Sequence, residues 1–201
     1  IEGIPKAQEI AFGVAPRINA VGRMGAAEDA VRLLLTRDST EARTLAADVE
    51  VMNAERKTVQ DDLATRLPAP DGSAFDLVLD QDAHKGVLGI VAARRMRESG
   101  LPTGVGTLVE GIAQCSLRAP EGYDLTELLA LAQPFLRSGG GHRAAAGITF
   151  EAGHLQFVRQ ALVRGAAIQA GNLGVRELFI DGSQQEAVPS PEEMAALEPF
   201  G

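Results

Sequence analysis

Apolar positions along the chain change period several times, and each change marks an element. Ala30, Leu33 and Leu34 fall on one helical face within 26–36. Asp38 or Ser39 can cap a second helix over about 40–67, with Glu41 in its first turn. In that helix Ala42, Leu45, Ala46, Val49, Met52, Val59 and Leu63 recur at three- and four-residue steps. It would span roughly 40 Å at about 1.5 Å per residue. Its stretch 53–57 is polar all round, which predicts a solvent-bridging section and a strut between domains. Before it, residues 1–25 read as irregular, because Gly3, Pro5, Gly13, Pro16, Gly22 and Gly25 interrupt any helix. After it, Pro68, Pro70 and Gly72 mark a boundary, and strands begin to alternate with helices. Strands are expected at 75–80, 103–109, 111–118, 148–150 and 176–181, with a tight turn at Glu110-Gly111. Helices are expected at 86–98, 125–136, 154–170 and 191–197. The fold class is α/β: a long linker helix, then a mixed β-sheet domain flanked by helices.

Composition narrows this only a little. The 201 residues are 45% apolar and 23% charged, which suits one large or two small globular domains. A net charge of −8 argues against wrapping nucleic acid by bulk charge. It leaves room for a few placed donors in a local basic groove. One cysteine, Cys115, makes no intrachain disulfide and points to the reducing cytoplasm. No apolar run reaches the length of a membrane span, and no signal peptide opens the chain. Ile1 stands without a methionine and Gly201 follows a turn signal, so both ends read as internal cuts.

Three clusters carry candidate chemistry. The run 139–147 reads Gly-Gly-Gly-His-Arg-Ala-Ala-Ala-Gly. Gly139, Gly140 and Gly141 let backbone amides approach an anion, and a helix start or nest behind them would aim those amides at a phosphate. His142 can donate to a phosphate oxygen or serve as an acid. A hinge with a surface histidine is the plainer reading of three glycines. The joined His142 and the small residues 144–146 favour a tightly packed functional turn. Ser116 and Arg118, two apart on a strand, face the same side and suit a phosphate. On spacing alone the favoured reading is two ordinary surface residues on an edge strand. Arg17, Asn19 and Arg23 sit in a loop shaped by Pro16, Gly22 and Gly25. They read either as backbone-phosphate donors or as structural arginines paired with acids such as Glu28 and Asp29.

Other residues read as structural. His84, in Asp82-Ala83-His84-Lys85-Gly86, is a capping or packing histidine before a helix rather than a metal ligand. His154 reads as an exposed helix-start residue, and Cys115 as a small buried one. No Asp-His-His triplet, Walker A loop or dinucleotide fingerprint is present. Aromatics do not interleave with basic residues as a base-stacking surface requires.

Taken together these motifs resemble a known family. The run 139–147 resembles the signature of the DHHA1 domain of DHH phosphoesterases, and Ser116-Leu117-Arg118 its other hallmark. Residues 15–25, 84–92 and 197–201 resemble, in order, segments of RecJ nucleases. Ala83, Cys115 and Ala119 depart from the usual aromatic, small residue and serine, which reads as local repacking. The resemblance implies that 1–36 is the tail of a DHH catalytic domain, 37–67 an interdomain helix, 68–172 a DHHA1 substrate domain and 173–201 the start of an OB-fold. It implies a single-stranded-DNA-specific 5′-to-3′ exonuclease of DNA repair and recombination, and a monomer. Mn2+ or Mg2+ would lie on a first domain whose ligand motifs are absent here. Ser116, Arg118 and His142 would hold substrate phosphates facing those metals, with Arg17, Asn19 and Arg23 lining the cleft. Partners implied are single-stranded DNA, a single-strand-binding protein and a RecQ-type helicase. The alternatives are a DHH phosphodiesterase acting on short oligonucleotides or cyclic dinucleotides, and a pure nucleic-acid-binding module.

Overall fold

A computed structural model describes residues 6–25, 27–173 and 190. The expected strand at 176–181, the helix at 191–197 and the OB-fold start after 173 lie outside the described residues. The chain divides into two compact units, Ile1–Ala15 with Gly174–Gly201, and Pro16–Leu173. In the first, helix α1 (Ala7–Glu9) runs into a π-helical turn, Ile10–Val14. Everything described from Pro16 onward belongs to the second.

Residues 7–24 are helical, which corrects the irregular reading of this region. Helix α2 (Ala15–Met24) carries Pro16 at its second position, inside the unbroken helical run that begins at Ala7. The π turn just upstream, closed by the Ala15 N–H on the Ile10 carbonyl, replaces the i→i−4 ladder that the proline ring would obstruct. Buried Ala20 and Val21 more than offset the weak helix preference of Gly22. The helix stops at Gly25, whose φ of +110° few other residues adopt.

Helix α3 (Ala27–Leu35) follows, then α4 (Ser39–Arg66). Asp38 caps α4 by accepting the amides of Thr40 and Glu41 at 2.7 and 3.3 Å. The first half of α4 buries Val49 with Val21 and Ala30. Its last turns bury Leu63 and, just beyond, Leu67 against Val78, Val87 and Val105. The section around Asn53 is not solvent-bridging throughout. Asn53 is buried, and its Oδ1 accepts from Arg56 Nη2 at 3.0 Å, which satisfies an amide that a polar pattern alone would place outside.

The sheet has five strands in the order β1-β2-β3-β5-β4. Strand β1 (Asp76–Leu79) pairs parallel with β2 (Thr103–Val109) through the crossover helix α5 (Leu88–Ser99). Strands β2 and β3 (Ile112–Arg118) form a hairpin. Glu110 and Gly111 turn it with positive φ of 49° and 80°, as a two-residue hairpin requires. Helix α6 (Leu125–Ala132) leads to β4 (Ser138–Gly141), β5 (Ala145–Glu151) and helix α7 (Leu155–Gly171).

Strict alternation gives the sheet two different faces. Ala113, Cys115 and Leu117 of β3 and Ala146, Ile148 and Phe150 of β5 point into a core closed by Leu125, Leu128, Val158 and Leu162 of α6 and α7. Each fully buried leucine or phenylalanine there contributes roughly 1.5–3 kcal/mol. On the opposite face the end of α4 and α5 cover β1 and β2 through Val78 and Val105, and the start of α5 reaches over β3 at Ser116 and Arg118. The β5-β4 side of that face stays open. Buried Asp76 and half-buried Arg95, paired in a bidentate fashion, tie α5 to the start of β1.

Candidate functional site

The open half-face and the start of α5 enclose a groove of about 310 Å³, lined by Lys85, Leu88, Gln114, Ser116, Ser138, Gly147 and Thr149 among others. The register explains this lining: Gln114 faces Thr149, Ser116 faces Gly147 and Arg118 faces Ala145 across β3 and β5. Gly140 lies beside Gly147 and Ser138 beside Thr149 across β5 and β4. The middle of the groove floor is therefore glycine, where a bound backbone can come close. Ser138 and Thr149 hydroxyls bond each other at 2.6 Å and close one end.

Arg118 lies two residues beyond Ser116 on the same face of β3, next to the groove and outside its lining. Its Nη1 donates to the Leu117 carbonyl at 2.7 Å, and no carboxylate pairs with it among the described residues. Burial pushes its pKa down, and the nearby Arg23 guanidinium adds to the shift. Arg23, from the last turn of α2, donates to the Gly86 carbonyl at 3.2 Å. Helix α5 begins beside them with no side-chain cap and no acid in its first turn. Its free amides and positive dipole end add to the two guanidiniums. Like charges held together without a counterion are relieved by an anion, and a phosphate fits the donors.

The structure brings Arg23, Ser116 and Arg118 together around the first turn of α5. Arg17 is engaged elsewhere, in an ion pair with Glu50 of α4 rather than with Glu28 or Asp29. Asn19 is exposed on α2. Gly139–Gly141 form an edge strand, not a loop leading into a helix or nest. The buried alternation of Ala146, Ile148 and Phe150 makes 145–151 a strand, and pairing to it overrides the weak strand preference of glycine. Gly141 has a φ of +152°, and a Cβ there would sit 2.4 Å from the Ala145 carbonyl oxygen, so this position admits only glycine.

His142 is exposed where the β4-β5 hairpin turns, its N–H on the Ala145 carbonyl at 2.8 Å. The turn is held from behind: Ala119 and Leu125 amides bond the Ala144 and Arg143 carbonyls, each at 3.0 Å. Arg143 also pairs with Asp124, the cap of α6, at 3.2 Å. His84 is a turn-forming residue, its Nδ1 accepting the Gly86 amide at 3.2 Å. His154 is half-buried rather than exposed. Its Nδ1 lies 3.1 Å from the Phe135 carbonyl, and its ring is edge-on to Phe135 and Phe157. Lys85, Gln114, Ser138 and Thr149 were not singled out by sequence. Extending the alternation from Ser116 back to Gln114 and across to β5 would have found Gln114 and Thr149; only the fold places Ser138 and Lys85 at the groove.

A DHHA1 domain matches residues 71–165. The chain is 36% identical to the single-stranded-DNA-specific exonuclease RecJ of Thermus thermophilus, over 98% of its own length and 29% of that protein. The chain belongs to the RecJ family. A crystal structure of the Thermus RecJ with Mg2+ superposes on all of this chain with a TM-score of 0.81 at 31% identity, 32% of that chain being covered. A Mn2+ form gives 0.82 at 30% identity, covering 100% of this chain and 31% of that one. The chain thus spans about a third of the length of the RecJ proteins it matches. The α/β architecture with its mixed five-stranded sheet is that of the RecJ DHHA1 region. No group of three or more His, Cys, Asp or Glu is placed to hold a metal among the described residues. The ions of those RecJ structures therefore find no fitting donor set among the described residues. No described helix is long and apolar enough to cross a membrane.

Proposed function

We propose that this chain is the substrate-gripping region of a single-stranded-DNA-specific exonuclease that degrades strands from the 5′ end in DNA repair and recombination. The observation that supports it is the meeting of Arg23, Arg118 and Ser116 at the start of α5, without a neutralising acid among the described residues, beside a glycine-floored groove. The glycine floor lets the backbone of a single strand approach the sheet closely. Gly139, Gly140 and Gly141 form the rim, His142 donates to a phosphate at the hairpin turn, and Lys85 adds charge. Arg17 and Asn19 flank the approach from α2. Residues 37–67 space this region from a catalytic domain carrying Mn2+ or Mg2+ outside this chain. The protein works as a cytoplasmic monomer, with a single-strand-binding protein and a RecQ-type helicase as partners. The test is degradation of single-stranded DNA by this chain in the presence of Mn2+. Binding without turnover is expected, and turnover by a clean preparation would overturn the division of labour.

A further inference from the structure

We propose that Gly89 is a positioning residue for the phosphate grip: the space left by its missing side chain is where the Arg118 guanidinium rests. This goes with the proposed reading of the groove and adds a residue to it. A Cβ at position 89 would stand 2.6 Å from Arg118 Nη2, 3.4 Å from its Cζ and 3.7 Å from Ser116 Oγ. The first distance is a collision and the others are contacts. Gly89 is the second residue of α5, where alanine would favour the helix, and its backbone has no positive φ that calls for glycine. Room for Arg118 is what remains to explain it.

Gly86 makes an instructive contrast. A Cβ there would meet the Arg23 carbonyl oxygen at 2.2 Å, which is backbone and cannot yield without moving α2. At Gly89 the obstacle is the far end of a flexible side chain. An alanine at 89 therefore leaves the fold in place and swings the guanidinium off the first turn of α5, away from Ser116.

The test compares Gly89→Ala, Arg118→Ala and the double variant in the intact protein. Binding of a fluorescein-labelled single-stranded oligothymidylate and the melting temperature are both measured. Gly89→Ala is expected to weaken binding about five- to thirtyfold, a partial loss compared with the roughly ten- to 150-fold of one whole charge-assisted hydrogen bond. Its melting temperature should be unchanged or slightly raised. In the Arg118→Ala background the same change should add less than about twofold, because the two act through one contact. An equal loss in both backgrounds would overturn the positioning role. So would unchanged binding by Gly89→Ala where Arg118→Ala binds weakly, with the phosphate grip left standing. If Arg118→Ala itself binds normally, the grip reading falls and takes this inference with it.

Discussion

Replacing Arg118 with methionine separates what this side chain does for binding from what it does for folding. Methionine keeps the apolar stem that packs at the end of β3 and removes the charge. The folded protein loses one hydrogen bond, from Nη1 to the Leu117 carbonyl, worth about 0.5–1.5 kcal/mol. It also sheds a guanidinium disfavoured first by burial and then by Arg23, which offsets that loss. The net change in stability should stay within about 1 kcal/mol, or roughly 2–4 °C in melting temperature for a chain of this size. Binding should behave differently. A charge-assisted hydrogen bond to phosphate is worth about 1.5–3 kcal/mol, so affinity for a single strand should fall roughly ten- to 150-fold. The slope of log K against log salt should become shallower by about 0.7, the value for one fewer phosphate contact. Fluorescence anisotropy across a salt series, with thermal unfolding of the same samples, reads all three quantities. Unchanged affinity, or lost affinity with a collapse in melting temperature, would refute the assignment.

Asp76→Ala should cost about 2–4 kcal/mol in urea unfolding, below the full penalty of a buried pair, because it leaves half-buried Arg95 without its partner; adding Arg95→Met should restore much of that. Burial pushes the Cys115 thiol up to about 12, so the folded protein should resist iodoacetamide at about pH 8 and react once unfolded in urea. Asp80, held low chiefly by the Arg66 hydrogen bond, and Asp124, held low chiefly by Thr126, bind fewer protons folded than unfolded. The stability they contribute is complete above about pH 4 and falls as acid protonates them, which urea midpoints measured against pH will show as a decline confined to the acid side.

The sequence was most legible where burial and period agree. Helix α4 was placed to within a residue of Ser39–Arg66 because Asp38 caps it and Leu45, Val49 and Leu63 repeat along one side. The β2-β3 hairpin was legible from alternation and from Glu110-Gly111. Local rules failed where pairing or packing outvoted them. Gly139–Gly141 lack every strand propensity and are a strand because β5 supplies partners. Residues 15–24 look broken by proline and glycine, yet Ala20 and Val21 are buried in a helix. Ser116 and Arg118 were visible as a same-face pair, but their meeting with Arg23 and Gly89 depends on where α5 crosses the sheet. Part of what ties α5 there is the pairing of buried Asp76 with half-buried Arg95, which no local pattern announces.

The central claim is that this chain grips single strands through placed phosphate donors despite its acidic composition. Fluorescence anisotropy of this chain with labelled single-stranded and duplex DNA, at low and moderate salt, tests it most directly. The account predicts salt-sensitive binding that prefers single strands and is not displaced by dinucleotides. Equal affinity for duplex, binding indifferent to salt, or capture of dinucleotides in preference to long strands would contradict it.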